Sequence, residues 1–174
     1  MTPTRFPLLT LGSALLLLLV PGCAGYRLGP NAGLTQDASS ISIVPFPNQT
    51  PEPGLAPVLA AALRRQIQSE GALSLDTRGQ GDVLLTGNII AYERVGVSFQ
   101  PNDIITIRDF EIRMTAEIRA IHRRTREVLL EESVVGSSLV RGFNDLASAE
   151  RQARPIIAND LAQKITDLIV EGEW

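Results

Sequence analysis

The sequence predicts an α+β domain: a mixed four-stranded sheet with two helices packed on one face, in the order β-α-β-β-β-α. Three patterns support this prediction. Apolar residues recur at helical spacing over 55–67 and again over 146–168. Apolar and polar residues alternate over 110–120, as they do in a strand with one buried face and one exposed face.

The first strand is predicted at 41–44, directly before Pro45. The first helix should begin near Gly54, because Pro57 is compatible with a helix only in its first turn. It should end at Gly71, because glycine just after the last apolar residue is typical of a helix C-terminus. Residues 73–75 are expected to form only a brief extended segment, which is not counted among the four strands. A helical crossover makes the first two strands parallel if they are neighbours.

Three strands are predicted between the helices. The first covers 83–99 and is rich in β-branched residues, and the second contains the alternating segment 110–120. Turns are predicted at 100–103 and, with several arginines, at 122–126, before a last strand at 128–135. Because these connections are short, the three strands are expected to be antiparallel.

A long final helix is predicted to start from an N-cap at Asn144 or Asp145. Its apolar stripe, which is expected to pack on the sheet, consists of Leu146, Ala149, Ala153, Ile157, Leu161, Ile165 and Leu168. The charged residues that alternate with apolar ones over 110–120 are expected to leave the opposite face of the sheet in contact with water.

Length and composition exclude several classes of protein. The chain has 174 residues, enough for one ordinary domain and a tail. It carries 16 basic and 19 acidic residues and a net charge of −3, which argues against a nucleic-acid binder. With one cysteine and one histidine it lacks the residues for a disulfide framework or a common zinc site, and no metal or other cofactor is expected.

The N-terminus is predicted to be a secretory leader. Arg5 precedes an apolar run of 13 residues at 8–20, which is shorter than the roughly 20 residues that span a bilayer. The following Gly22-Cys23 resembles the lipobox of bacterial lipoproteins, in which the leader is removed and the cysteine is acylated. This resemblance implies a signal peptide at 1–22 and lipid attachment at Cys23.

These features predict the organisation of the rest of the chain. Residues 23–40 are expected to be the lipidated N-terminus and a flexible tether, because Gly, Pro, Asn and Ser are frequent there. Residues 41–174 are expected to form a single α+β domain. The residue after the cysteine is Ala24 and not Asp, which resembles lipoproteins that are sorted to the outer membrane. The expected location is therefore the periplasmic side of the outer membrane, with the protein anchored by its acyl chains.

Catalytic candidates are few, and no enzymatic activity is expected. His122 lies in a turn crowded with arginines, and the sequence places no partner beside it. Acidic residues in the strands at 111–132 are expected to lie on exposed positions, where they commonly pair with arginine across strands. The sequence therefore offers no pair of groups for acid–base or nucleophilic catalysis.

The turn at 122–126 belongs to a cluster of four arginines within eight residues, 119–126. The forked donors of a guanidinium group can bind phosphate or carboxylate, so Arg123, Arg124 and Arg126 are candidate anion-binding residues. The alternative is a solvated hairpin whose charges keep the sheet soluble.

Four segments carry a family resemblance. They are CAGYRLG at 23–29, IVPFPNQT at 43–50, GDVLLTG at 81–87, and the final helix, which runs through 160–165 and ends near Trp174. In these segments the chain resembles LptE, the lipopolysaccharide-assembly lipoprotein family of the Gram-negative outer membrane. The resemblance extends over essentially the whole chain after the leader.

The resemblance implies a non-enzymatic partner of the LptD β-barrel, which plugs the barrel, supports its assembly and helps to place lipopolysaccharide in the outer leaflet. Lipopolysaccharide is then the expected ligand, with Arg123, Arg124 and Arg126 as candidate contacts to its phosphates. Other outer-membrane lipoproteins share the Pro-Phe-x-Asn-x-Thr pattern. The alternative is therefore a lipoprotein that activates a peptidoglycan synthase or joins a secretion assembly.

Overall fold

The structure is a computed structural model that describes residues 38–100, 103–141 and 146–171. The predicted leader, Cys23, the tether up to residue 37 and the predicted N-cap of the final helix lie outside the described residues. The described elements are β1 (Ser40–Ile43), α1 (Leu55–Glu70), β2 (Ser74–Leu75), β3 (Val83–Gln100), β4 (Asp103–His122), β5 (Val128–Arg141) and α2 (Leu146–Glu171).

The described strands form one mixed sheet in the order β2-β1-β3-β4-β5. Strand β1 is parallel to both of its neighbours, and β3, β4 and β5 are antiparallel, as predicted. The sheet has five strands and not the predicted four, because β2 adds to the outer side of β1. The N–H of Ser74 donates to Ser39 O at 3.0 Å, and the N–H of Asp76 donates to Ile41 O at 2.8 Å. A two-residue strand has no periodicity that a sequence could show.

Two strands are longer than predicted. Strand β4 begins at Asp103, within the predicted turn at 100–103, because Gln100 and Asp103 still pair across the hairpin. Strand β5 continues to Arg141 instead of ending near residue 135, because its polar second half pairs with residues 109–114 of β4. Pairing with a long neighbour thus extends strands beyond their apolar segments.

Helix α1 has the bounds that the sequence predicts. Gly54 precedes it and Gly71 follows it, both with positive φ values of 80° and 72°. The N–H of Gly71 donates to Ile67 O at 3.2 Å and so satisfies one carbonyl of the last turn. The buried face of α1 consists of Leu55, Leu59, Ala60, Ala62, Leu63 and Ile67.

Helix α2 buries its stripe against the sheet and α1. Ile157, Leu161 and Ile165 are fully buried, as predicted, whereas Leu168 is only partly buried and Ile169 takes the last buried position. The opposing face of β4 supplies Ile112, Met114, Ala116, Ile118 and Ala120. The other face of β4 presents the exposed side chains of Arg113, Glu117 and Arg119. Both helices therefore lie on one face of the sheet, and the opposite face is exposed to water.

The contacts of residues 44–49 with β3 explain the composition of the segment IVPFPNQT at 43–50. The chain continues beside β3, with Val44 N–H donating to Leu85 O at 3.0 Å and Ile89 N–H donating to Pro47 O at 2.9 Å. Phe46 is buried and its ring covers Gly87, where a Cβ atom would lie only 2.8 Å from the ring. A larger residue at position 87 would displace the ring, so the phenylalanine and the glycine form one packing unit.

Helix α2 approaches β5 closely at Gly136. A Cβ atom at this position would lie 2.5 Å from Leu161 Cβ and 2.7 Å from Ile157 O. Backbone atoms of the helix therefore occupy the space that a side chain would need, and only glycine allows the two elements to meet.

We predict that Gly136→Ala destabilises the domain by about 1–3 kcal/mol, because the methyl group forces α2 away from the sheet and disturbs the packing of Ile157 and Leu161. Urea unfolding followed by circular dichroism measures this change. Ser133→Ala, which removes an exposed hydroxyl from the same strand, should change stability by less than about 0.5 kcal/mol. Equal stability of Gly136→Ala and the parent chain would show that the helix is not held this close.

Candidate functional site

The turn that joins β4 to β5 holds the predicted anion-binding residues in a defined conformation. The N–H of His122 donates to Glu127 O, and the N–H of Arg126 donates to His122 O, both at 2.8 Å. Arg126 has a φ of 62°, the left-handed conformation that closes the turn. The N–H of Thr125 donates to Nδ1 of His122 at 3.2 Å, so the imidazole acts as an acceptor within the turn.

The structure separates the roles of the three arginines. Arg123 is tied to the start of β3: its N–H donates to Asp82 O at 2.8 Å, and its Nε donates to Gly81 O at 2.9 Å. Arg124 and Arg126 are exposed, and neither side chain makes a hydrogen bond or an ion pair with the described residues. Two of the three guanidinium groups are therefore available to an external anion.

Arg119, the fourth arginine of the cluster, is already paired. Its Nη2 lies 3.2 Å from Glu131 Oε2, and the two residues face each other across β4 and β5. Both side chains are exposed, so this is the cross-strand pairing that the sequence predicts for the strand carboxylates. It leaves Arg119 outside the set of free cations.

Asp82 joins the basic turn to the point at which the N-terminal chain enters the sheet. Its carboxylate accepts hydrogen bonds from the N–H and the hydroxyl of Ser40, at 3.1 and 2.8 Å, and from the N–H and the hydroxyl of Ser39, at 3.0 and 3.1 Å. These bonds, with that of the Ser40 hydroxyl as the largest contribution, lower the pKa of Asp82 to about 2.

A second carboxylate builds the neighbouring turn at 76–82. Asp76 accepts hydrogen bonds from the N–H groups of Gln80 and Arg78 and from the hydroxyl of Ser42. The bond from Gln80 is the main reason that the pKa of Asp76 is lowered. The buried hydroxyl of Ser42 in turn accepts the N–H of Gly81 at 2.8 Å.

A cleft of about 520 Å³ opens beside Arg123. Arg64, which projects from α1, lines it together with Arg123 and Asp76. The apolar part of the lining comes from Ile43, Val44, Leu75 and Leu84. Two guanidinium groups beside an apolar wall suit a ligand that combines an anionic group with hydrocarbon.

The charge of the two turns at this end of the sheet is nearly balanced. Four arginines lie in the two turns, at positions 78, 123, 124 and 126, and three carboxylates lie beside them, at positions 76, 82 and 127. An anion at this end would therefore be held by the forked geometry of the free guanidinium groups more than by a strong positive field.

A second charged cluster lies on the helix side of the sheet and is internally compensated. Arg94 binds the buried Glu150 through both carboxylate oxygens, and Glu52 bridges Arg94 and Arg154. Burial, followed by the charge of Glu150, raises the pKa of Tyr92 beside this cluster. With two acids and two arginines already paired, this cluster holds the elements together and offers no free charge to a ligand.

The described residues contain no group of three His, Cys, Asp or Glu side chains that could hold a metal ion. Among the described helices, none is both long and apolar enough to cross a membrane. Cys23, the predicted site of lipid attachment, lies outside the described residues.

Sequence reasoning identified the basic turn but missed Arg64, Asp76 and Asp82. The position of Asp82, directly after Gly81 and before a strand, marks it as a residue of a turn. Its contact with Ser39 and Ser40 could not be predicted, because these residues are more than 40 positions away. The sequence predicts only that Arg64 is an exposed residue of a helix. The fold places it in the same cleft as Arg123.

Comparison with known families gives one match that covers most of the chain. The family model LptE, described as lipopolysaccharide-assembly, matches residues 38–171. No curated protein matches the sequence.

Solved structures share the fold at low sequence identity. A minor lipoprotein from Acinetobacter baumannii is 15% identical, with a TM-score of 0.57, and the match covers 77% of this chain and 94% of that one. A protein from Xanthomonas campestris is 9% identical, with a TM-score of 0.61 and coverage of 79% and 86%. A hypothetical protein from Chlamydia trachomatis is 11% identical, with a TM-score of 0.56 and coverage of 78% and 98%.

We predict that the carboxylate of Asp82 stabilises the domain at neutral pH and that this contribution is lost in acid. Its pKa is about 2 in the fold and 3.8 ordinarily, so the ionised form is favoured by folding. The contribution is complete above about pH 4 and disappears as the pH falls toward 2. Urea unfolding between pH 7 and pH 2 should show Asp82→Asn to be less stable at pH 7 and to lose less stability on acidification.

The control is Glu70→Gln, which removes an exposed carboxylate from α1 and should change stability at pH 7 by less than about 0.5 kcal/mol. If Asp82→Asn and the parent chain lose the same stability between pH 4 and pH 2, the four serine contacts do not favour the ionised form.

Proposed function

Because the chain belongs to the LptE family of lipopolysaccharide-assembly proteins, we propose that it is the lipid-anchored partner of an LptD-like β-barrel in the outer membrane. In this role it plugs the barrel from the periplasmic side, supports barrel assembly and assists the transfer of lipopolysaccharide to the outer leaflet. The role requires binding and no catalysis.

The observation that carries the proposal is the extent of the family match. The match begins at residue 38, two residues before β1, and ends at 171, the last residue of α2. It therefore includes every described strand and helix. A match of this extent involves the whole domain, so the family role is proposed for the domain and not for a shared motif.

The exposed face of the sheet is compatible with a plug. Glu93, Arg113 and Glu117 are exposed on neighbouring strands, and Arg113 also pairs with Glu111 of its own strand. A polar, water-filled lumen accepts such a face without the cost of burying unpaired charge, whereas the apolar faces of the helices are already buried against the sheet.

We also propose that Cys23 carries the acyl chains and that residues 24–39 connect it to the sheet. At full extension these 16 residues reach at most roughly 55 Å. The reach of such a tether exceeds the thickness of the hydrocarbon core of a bilayer, which is approximately 30 Å. The domain can then occupy a barrel lumen while its acyl chains remain in the periplasmic leaflet.

The basic turn is proposed as the contact with lipopolysaccharide, which carries phosphates and hydrocarbon chains. The exposed Arg124 and Arg126 are free to bind phosphate, and the cleft between Arg64 and Arg123 places cations beside apolar side chains. Each exposed contact is worth only about 0–1 kcal/mol, so the cluster must act together.

Crosslinked isolation from native outer membranes tests the proposed partner. The tagged chain, extracted in mild detergent, should bring down an outer-membrane β-barrel, and intact mass spectrometry should show an acylated species that starts at Cys23. Cys23→Ser should leave the folded domain intact but abolish acylation and reduce recovery with the outer membrane, because the acyl chains supply the anchor.

Recovery of a peptidoglycan synthase or a secretion assembly without a barrel would contradict the proposed function. An unmodified chain cleaved at another position would contradict lipid attachment at Cys23. It would not contradict the proposed partner, which is tested by the isolation of a β-barrel. A tagged outer-membrane lipoprotein of unrelated fold, isolated in parallel, controls for nonspecific capture.

For lipopolysaccharide, we predict that replacing Arg123, Arg124 and Arg126 with Ser weakens binding about three- to tenfold at low salt, while the fold and the barrel complex persist. The difference from the parent should shrink at high salt, where the Debye length falls to about 3 Å at 1 M. Binding to immobilised lipopolysaccharide over a salt series measures both effects.

Two further variants make this comparison specific. Arg124→Ser with Arg126→Ser leaves the Arg123 contact to Gly81 intact. This double variant should show most of the loss of lipopolysaccharide binding seen in the triple variant. Arg65→Ser with Arg151→Ser removes the same charge from exposed helix positions and should not reduce binding. Unchanged affinity and salt dependence in the triple variant would identify the turn as a solvated hairpin.

A further inference from the structure

Strand β5 forms one edge of the sheet and carries three exposed apolar side chains. Within the described residues its only strand neighbour is β4. Val128, Val135 and Leu139 are 43%, 40% and 45% exposed. An edge strand with unpaired backbone groups and exposed apolar side chains is a template for pairing with another strand.

The opposite edge of the sheet does not carry the same risk. Strand β2 has only two residues, Ser74 and Leu75, so it offers very few backbone groups to a partner. Short edge strands are one of the known protections against edge-to-edge association. Strand β5, with 14 residues from Val128 to Arg141, needs a different protection.

Two side chains of α2 occupy the outward backbone groups at the middle of β5. The N–H of Ser137 donates to Asp160 Oδ2 at 2.8 Å, and Nζ of Lys164 donates to Val135 O at 2.9 Å. Lys164 also lies 2.8 Å from Asp160, so the two side chains hold each other in place. Lys164 is the only lysine among the 16 basic residues of the chain.

We propose that Asp160 and Lys164 close the β5 edge against strand pairing with a second copy of this chain. A partner strand would have to bind the Ser137 N–H and the Val135 carbonyl, which lie at the centre of the exposed edge. Both groups are already satisfied, and the carboxylate and ammonium groups stand where the partner backbone would lie.

The excluded partner is a second copy because the edge is self-complementary. Two β5 strands related by a twofold axis near Gly136 would pair antiparallel and would bring the Val135 side chains of both copies close together. Every copy presents the same strand, so the risk grows with the concentration of the protein. This inference does not depend on the proposed function.

The test removes both blocking groups without changing the net charge. In Asp160→Ala with Lys164→Met, the full chain in mild detergent should self-associate, with a dissociation constant at least about tenfold lower than that of the parent. Sedimentation velocity over a concentration series measures association. In the double variant, hydrogen exchange should show that the outward amides of β5, including the Ser137 amide freed by Asp160→Ala, become protected only in the associated form.

The matched control is Arg151→Met with Glu70→Ala, which also removes one cation and one carboxylate, at exposed helix positions for which no hydrogen bond to β5 is seen in the described part of the chain, and should sediment like the parent. A folded double variant of Asp160 and Lys164 that stays monomeric would overturn the proposal, as would a parent chain that already dimerises through β5. If the double variant does not fold, the self-association of the single variant Lys164→Met tests the proposal instead. This variant retains most of the apolar stem, frees the Val135 carbonyl and must associate more strongly than the parent.

Discussion

The contact between α2 and β5 at Gly136 is the constraint on which the rest of the domain depends. Because a side chain has no room there, the helix backbone lies directly against the strand. This places Leu161 and Ile157 over the apolar face of the sheet, where both are fully buried. It also brings Asp160 and Lys164, on the adjacent side of the same helical turns, within hydrogen-bonding distance of the strand edge. The core and the protected edge therefore have one geometric origin.

The two faces of the sheet and the end that contains Asp82 differ in the kinds of side chain they carry. The helix face is filled by the core and by the compensated ion cluster around Glu150, so it is closed to ligands. The exposed face carries charged side chains, some of them paired within the sheet. The end that contains Asp82 receives the N-terminal chain and holds the basic turn, with Arg123 bonded to the carbonyls of both Gly81 and Asp82. The point at which the chain enters the sheet and the candidate anion-binding residues therefore lie at the same end of the domain.

Local patterns predicted the parts of the fold that local physics determines. The alternation over 110–120 identified the core strand, because burial on one face requires it. Pro57 predicted the start of α1, because proline fits only the first turn of a helix. Gly71 predicted its end, because glycine readily adopts the positive φ found there. The strand Ser74–Leu75 and the later half of β5 could not be predicted in this way, because pairing with neighbours and not side-chain pattern makes them strands.

The same distinction applies to the candidate site. The arginines of the basic turn are adjacent in sequence and were identified, whereas the contact of Asp82 with Ser39 spans 43 positions and that of Ser137 with Asp160 spans 23. Gly136 directly follows the predicted end of the last strand at residue 135, and Asp160 and Lys164 are four residues apart in a predicted helix. Their roles exist only once distant elements have met.

The four hydrogen bonds that Asp82 accepts from Ser39 and Ser40 also have a mechanical meaning. Strand β1 lies between β2 and β3, so a pull along its axis from the N-terminal side loads the bonds to both neighbours in shear. The serine contacts lie at the start of this strand, beside the first pair of β1 with β3, and share the load with it. Rupture then requires many bonds to break together, whereas peeling would break them one by one. A chain pulled from its N-terminal side would therefore resist unfolding at the point where the force is applied.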